Sequence, residues 1–167
     1  MARDAAGIIK ALIEGKKRVT ESEVREITAR VGDAPFAVRL VSVPDRLKDV
    51  VYSGHRFGAK APSNLVHLAK RVILEKQWKL GTTLDEYEQD LRSAIRHEYA
   101  HVVVYRSRGI NHLAVLSPTI VPEARLGSAS EKQVWVVYDA DHDTIVTGYQ
   151  VPGIEAVRLP KDARWLK

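Results

Sequence analysis

The 167-residue chain contains no cysteine. This absence excludes disulfide frameworks, thiolate zinc sites and cysteine nucleophiles, so that any metal ion would be held by His, Asp or Glu. Long apolar runs are also missing, and none approaches the roughly 18 residues that a membrane-spanning helix needs. Residues 1–5 include an acid where a secretory signal has its basic region. We therefore expect a cytoplasmic protein without a membrane span.

Acidic residues are outnumbered by basic ones. The chain has 26 Lys and Arg against 21 Asp and Glu, which gives a formal net charge of +5 and a pI near 9.5. A basic protein attracts polyanions, so the composition favours nucleic acid or another phosphate-rich partner. The same excess of charge is also common in proteins for which it serves only solubility.

Hydrophobic periodicity places helices first and strands second. Helical spacing of apolar residues occurs over 8–13, 21–31, 63–73 and 84–96. Strand-like runs occur over 36–43, 49–52, 101–105, 113–116, 134–138 and 144–151. The sequence therefore predicts an α+β fold, in which a helical pair packs on a twisted antiparallel β-sheet within residues 55–167. Residues 1–54 are predicted to form an N-terminal helical and hairpin arm.

The motif His97-Glu98-Tyr99-Ala100-His101 has the H-E-x-x-H spacing. On a helix this spacing directs two imidazoles at one zinc ion, while the glutamate acts as base on the bound water. The residues that follow, 102–104, are all valine and favour a strand, so the motif is predicted to straddle the end of a helix. A zinc metallopeptidase using His97, Glu98 and His101, with zinc as its cofactor, is therefore the alternative function and not the leading one.

Two other groups of polar residues share a face of their predicted elements. His67, Lys70 and Arg71 stand at i, i+3 and i+4 of the third predicted helix. On the last strand, the period of two places Ile145, Thr147 and Tyr149 on one face.

Residues 55–151 resemble, as a pattern, the superfamily of barnase, EndoU, colicin and RelE-type ribonucleases, which includes many bacterial and phage toxins. The similarity covers about the C-terminal two thirds of the chain, and its motifs are short. The residues that carry it are His67-Leu68-Ala69-Lys70-Arg71, Gln77-Trp78, Gly81-Thr82-Thr83-Leu84-Asp85-Glu86-Tyr87 and Thr147-Gly148-Tyr149.

The resemblance implies an endoribonuclease that cleaves RNA through its own 2′-hydroxyl without a metal cofactor. His67 would then be the acid or base, since a histidine exchanges protons near neutral pH and a neighbouring Arg71 favours its neutral form. Lys70 and Arg71 would hold the phosphate, with Thr147 and Tyr149 facing it across a cleft.

Further RNA contacts are expected from four basic residues in two loops, and the resemblance also implies an inhibitory antitoxin or immunity protein as partner. The four RNA-binding candidates are His55, Arg56, Arg106 and Arg108. Because few catalytic candidates fall on the sheet, a third hypothesis is a catalytically silent module that binds RNA or a protein.

Overall fold

The computed structural model describes residues 5–15, 18–52 and 55–167. The helices are α1 (Ala5–Ile13), α2 (Glu21–Val31), α3 (Asp45–Lys48), α4 (Ser63–Ala69) and α5 (Leu84–Ile95). The strands are β1 (Leu40–Ser42), β2 (Val51–Tyr52), β3 (His55–Arg56), β4 (Lys60–Pro62), β5 (His101–Ser107), β6 (Ile110–Pro118), β7 (Gln133–Asp139), β8 (Thr144–Val151) and β9 (Arg164–Trp165). The predicted α+β class is confirmed. None of the described helices is long and apolar enough to cross a membrane.

The main sheet has five antiparallel strands in the order β8-β7-β6-β5-β9. Strands β5 to β8 follow one another in space as they do in sequence, and the turn over residues 140–143 joins β7 to β8. Strand β8 therefore forms one edge of the sheet. Two small sheets lie apart from it, one formed by β1 with β4 and the other by β2 with β3.

Side chains alternate between the two faces of the main sheet, as the pleat of a β-strand requires. On the helix-covered face, Val102, Val115 and Val136 join the principal core with residues of α5 such as Leu91. The opposite face has its own smaller cluster. Its buried members are Val103, Tyr105, Ala114, Leu116, Trp135 and Val151, packed against Val157, Leu159 and Ala163 of the C-terminal segment.

The N-terminal region belongs to the same core as the sheet. Ile9 and Leu12 of α1 and Val24 and Ile27 of α2 are buried in the cluster that also contains Leu91. Thr20 caps α2 through a capping box with Glu23, as the Thr-x-x-Glu pattern predicts. Helices α1 and α2 thus pack into the same core as the sheet.

A β-bulge in strand β8 changes which side chains share a face. Thr147 pairs with Val137, whereas Ile145 pairs with Tyr138, so one extra residue of β8 lies between the two pairs. Ile145 therefore turns into the helix-covered core, while Tyr149 packs on the opposite face. The prediction that Ile145, Thr147 and Tyr149 share one face was wrong for Ile145, because a bulge shifts the period of two.

Candidate active site

A π-helical turn carries one of the predicted site residues to the edge of the sheet. Helix α4 continues into the π-helical segment Lys70–Leu74, where the amide of Glu75 donates to the carbonyl of Lys70 at 2.8 Å. Such single turns are rare and occur frequently at functional sites. Arg71 lies in this turn, beside the edge strand β8.

Arg71 is the centre of the site. It is only 8% exposed, and its Nε donates to the carbonyl of Gly148 at 3.0 Å. Its Nη2 donates to Oγ1 of Thr147 at 3.0 Å, and its Nη1 donates to the carboxylate of Glu75. The guanidinium carbon lies 5.0 Å from the centroid of the Tyr149 ring. The structure thus joins three residues that the sequence predicted to act together, namely Arg71, Thr147 and Tyr149.

Close packing of helix α5 fixes the strand at this point. A Cβ atom at Gly148 would lie 2.5 Å from a methyl group of Leu91, so the glycine permits the helix to approach. The hydroxyl of Tyr87, also on α5, donates to the carbonyl of Gly148 at 2.5 Å. One backbone carbonyl therefore accepts from both Arg71 and Tyr87, which holds the site rigidly against two helical elements.

Hydrogen bonds between two glutamines fix strand β8 at Gln150, the residue after Tyr149. The side chain of Gln77 donates to the carbonyl of Gln150 at 2.8 Å and accepts from its amide at 2.7 Å, as a neighbouring strand would. The side chain of Gln150 returns a bond to the carbonyl of Gln77 at 2.9 Å. These bonds occupy backbone groups that an edge strand otherwise leaves open. They also fix the backbone immediately after Tyr149.

His67 lies one helical turn before Arg71 and is half-buried. Burial lowers the pKa of its imidazole from 6.5 to about 4, and the positive charges of Arg71 and Lys70 lower it further in the same direction. Its Nδ1 atom is buried and has no hydrogen-bond partner among the described residues. His67 is therefore neutral at pH 7 and holds an unprotonated ring nitrogen. The predicted influence of Arg71 is present, although it is second to burial.

Tyr149 contributes a protonated phenol. Burial raises its pKa above the usual value of 10.0, with Arg71 lowering it and Glu75 raising it. The hydroxyl keeps its proton at neutral pH and can donate it in a hydrogen bond. The site therefore combines a neutral base, a guanidinium and two hydroxyl groups, without any group that requires a metal.

The other predicted RNA-binding residues do not join this cluster. Arg106 and Arg108 lie at the hairpin between β5 and β6, and Nη2 of Arg106 donates to the carbonyl of Gly109 at 3.4 Å. Three interstrand spacings separate β5 from β8, or roughly 14 Å, so these two arginines are not part of the Arg71 site. His55 and Arg56 form strand β3, whose backbone pairs with strand β2. Their side chains lie outside the part of the chain that the structure describes, and their role stays a prediction.

The H-E-x-x-H residues do not lie on a helix. Helix α5 ends at Ile95, His97 lies in the following turn, and His101 begins strand β5. Nδ1 of His97 accepts from the amide of Tyr99 at 3.0 Å, and Nδ1 of His101 lies 3.3 Å from the carbonyl oxygen of Lys167. The described residues contain no group of three His, Asp or Glu side chains arranged to hold a metal. The helical geometry that the zinc alternative requires is therefore absent.

The contacts of three residues of the site were not predicted: Glu75 was not singled out, and Gln77 and Tyr87 were named only as residues that carry the resemblance. Glu75 stands four residues after Arg71, and this spacing of opposite charges predicts an ion pair on a helix. Such pairs are common on exposed helices, so the spacing does not single out a functional site. Tyr87 and Gln77 reach β8 from positions 61 and 73 residues away in the chain. No local pattern reveals such long-range partners.

No protein-family model, curated protein or solved structure matches the chain. Any functional interpretation consequently depends on the residues and their geometry.

Proposed function

We propose that this protein is a metal-independent endoribonuclease whose active site is the cluster at the edge strand β8. The proposal depends chiefly on one observation: Arg71 bonds Thr147 and stacks on Tyr149, with a neutral His67 one turn away. These groups supply the base, the cation and the hydrogen-bond donors that RNA cleavage through a 2′-hydroxyl needs. RNA is thus the proposed substrate, in accordance with the net charge of +5.

In the proposed reaction, His67 removes the proton of the ribose 2′-hydroxyl. The 2′-oxygen then forms a bond to the adjacent phosphorus, and the bond from phosphorus to the 5′-oxygen breaks. The phenol of Tyr149 gives its proton to the departing 5′-oxygen. His67 then releases the proton it took to water and Tyr149 takes one up from water, so that both groups regain their starting state with no net change in protons. The products are a 2′,3′-cyclic phosphate and a free 5′-hydroxyl, so that no oxidant, reductant or metal takes part.

Positive charge stabilises the transition state. Negative charge builds on the oxygens of the phosphate as the 2′-oxygen attacks, and a fixed cation close to them lowers the barrier. Arg71 is held in place by Gly148 and Thr147, so it needs little reorganisation. Glu75, whose side chain is more than one third exposed, occupies one side of the guanidinium. A bound phosphate would take the place of this carboxylate.

RNA cleavage in EDTA tests the proposal. The wild-type protein should cleave single-stranded RNA into products with 2′,3′-cyclic phosphate ends, and 2′-O-methyl RNA of the same sequence should resist. The variant H67A should retain binding but lose turnover. Salt-dependent binding of RNA by the wild type without any cleavage would instead favour the catalytically silent module. Cleavage that disappears in EDTA would contradict a metal-independent reaction.

An inhibitory partner is a separate proposal. Such an antitoxin or immunity protein would need acidic groups to reach Lys70 and Arg71. Co-purification of an acidic protein that blocks RNA cleavage would support it.

A further inference from the structure

A pocket separate from the Arg71 site lies on the sheet face opposite the helices. It has a volume of about 360 Å³ and is lined by His101, Leu116, Gln133, Ile154, Trp165 and Lys167. The buried side chain of Leu116 belongs to the hydrophobic cluster of that face. The rings of Trp165 and His101 meet edge to face, with centroids 6.3 Å apart. The pocket therefore combines an apolar floor with aromatic walls.

Trp165 differs from the other two tryptophans of the chain. Trp78 is 1% exposed and Trp135 is 3% exposed, whereas Trp165 is 38% exposed. Ile154 beside it is 51% exposed. An indole that stays open to solvent at the wall of a pocket offers a flat apolar surface on which a planar ligand can stack.

The polar group best placed to recognise such a ligand is the side-chain amide of Gln133. This residue is half-buried, and within the described residues its side chain makes no hydrogen bond. An amide offers both donors and an acceptor, which is the combination that reads the edge of an unpaired nucleobase. A purely aliphatic ligand would leave this amide without a partner.

The strand register connects the pocket with the proposed active site. Tyr149 pairs with Trp135, Trp135 with Leu116, and Leu116 with His101. The four residues form one row across the sheet on the same face, and the ends of the row are roughly 14 Å apart, which is three interstrand spacings. A single RNA strand with its phosphate at Arg71 reaches the pocket within a few nucleotides. Its path passes over the C-terminal residues that cover Trp135.

We propose that this pocket is a subsite for one unpaired base of the RNA substrate, stacked on Trp165 and read by Gln133. The subsite rests on the proposed ribonuclease function, because the path along the row begins at the proposed catalytic residues. It serves to bind and select the strand, and none of its residues takes part in cleavage.

Intrinsic fluorescence tests the subsite, since Trp165 is the most exposed of the three tryptophans. A 2′-O-methyl RNA pentanucleotide, which cannot undergo attack by a 2′-hydroxyl, should quench the emission of the wild-type protein in a saturable manner. The same quenching should occur in H67A. The variant W165L should bind the pentanucleotide roughly ten- to a hundredfold more weakly, because one stacked base is lost.

Two further variants keep this test independent of folding and of catalysis. Q133L keeps the size of the side chain and should alter the order of affinity among pentanucleotides of A, C, G and U. L80A removes an exposed apolar residue that does not line the pocket and should leave every affinity unchanged. With cleavable RNA, W165L should raise KM while kcat stays the same, and a dinucleotide too short to reach the pocket should be cleaved equally by both proteins.

The outcomes separate the two proposals. If the wild type cleaves RNA but its fluorescence does not respond, and W165L has an unchanged KM, the subsite is wrong while the nuclease stands. If the pentanucleotide quenches Trp165 but no RNA is cleaved, the subsite stands and the nuclease is wrong. Equal affinities in W165L and the wild type overturn the subsite in either case.

Discussion

The segments around His67 and around His97 each contain a histidine, basic neighbours and a motif-like spacing. In the structure, however, the two histidines have different surroundings. His67 is half-buried, with a pKa lowered to about 4 and Arg71 one turn away. His97 lies in a turn after the end of α5, where its ring accepts a bond from the amide of Tyr99. Only the first histidine adjoins a network of side chains from several elements.

The difference shows that the spacing of a sequence motif predicts the geometry of its side chains only where the chain keeps one type of secondary structure. The four-residue separation of His97 and His101 would aim both rings at one metal if the chain stayed helical. The valines that follow pair with β6 instead, so His101 enters a strand. The short motif at His67 retains its helical geometry, because α4 continues through Arg71 as a π-helical turn.

The largest effect is expected from Arg71. The change R71K keeps the charge but loses the planar fork that bonds Gly148 and Thr147 together. We expect the rate of RNA cleavage to fall by about 10²-fold and the free energy of unfolding to fall by roughly 1–3 kcal/mol. Single-turnover cleavage and thermal melting measure the two effects. The matched change R106K, at the distant hairpin, should alter neither the cleavage rate nor the free energy of unfolding. A comparable loss in R106K would show that the effect of R71K is not specific to the Arg71 site.

The pH dependence of RNA cleavage gives the second test of the difference between His67 and His97. A base with a pKa of about 4 is neutral above that value, so kcat/KM should rise through about pH 4 and stay level to pH 8. An inflection near pH 6.5 would contradict the buried state of His67.

The same lowered pKa affects stability. Between pH 6.5 and about 4 the unfolded chain binds a proton at His67 that the folded protein does not bind. The free energy of unfolding should therefore fall as the pH falls through this window, and by less in H67Q, which does not titrate there. We expect a difference of about 2 kcal/mol between pH 7 and pH 4, reduced by partial exposure of the ring. Urea denaturation at both pH values, on both proteins, measures it.

Tyr149 should give a moderate effect. The change Y149F removes the phenolic hydroxyl and retains the ring that Arg71 covers. We expect cleavage to slow about tenfold or more, because the proposed donor to the leaving oxygen is lost. The control Y99F removes an exposed phenol within the H-E-x-x-H segment and should have no effect. Equal rates for Y149F and the wild type would remove Tyr149 from the mechanism.

Glu75 should give the smallest effect. The change E75Q removes the carboxylate that competes with phosphate for Arg71, so KM for RNA should fall by about two- to fivefold, the range of a partly exposed ion pair. Steady-state kinetics at low salt would detect it. A large loss of kcat in E75Q would indicate that Glu75, and not His67, is the base.

Local patterns predicted the main elements well. The helices with capping signals and the β7–β8 hairpin appear where periodicity and turn residues placed them. The pairing of Arg71 with Thr147 and Tyr149 followed from a resemblance, and the structure brings these three residues together. The bulge in β8 and the bonds of Tyr87 and Gln77 to that strand were not predictable, because each depends on partners far away in the chain. The separation of Arg106 and Arg108 from the Arg71 site was not predictable either, since a sequence does not reveal the order of the strands in a sheet.

Cleavage of RNA in EDTA by two alanine variants, H67A and H97A, compared with the wild type tests the central claim most directly. The account predicts that H67A loses at least 10²-fold in single-turnover rate, while H97A cleaves at the wild-type rate. Full activity in H67A, or loss of activity in H97A together with stoichiometric zinc in the wild-type protein, would contradict it.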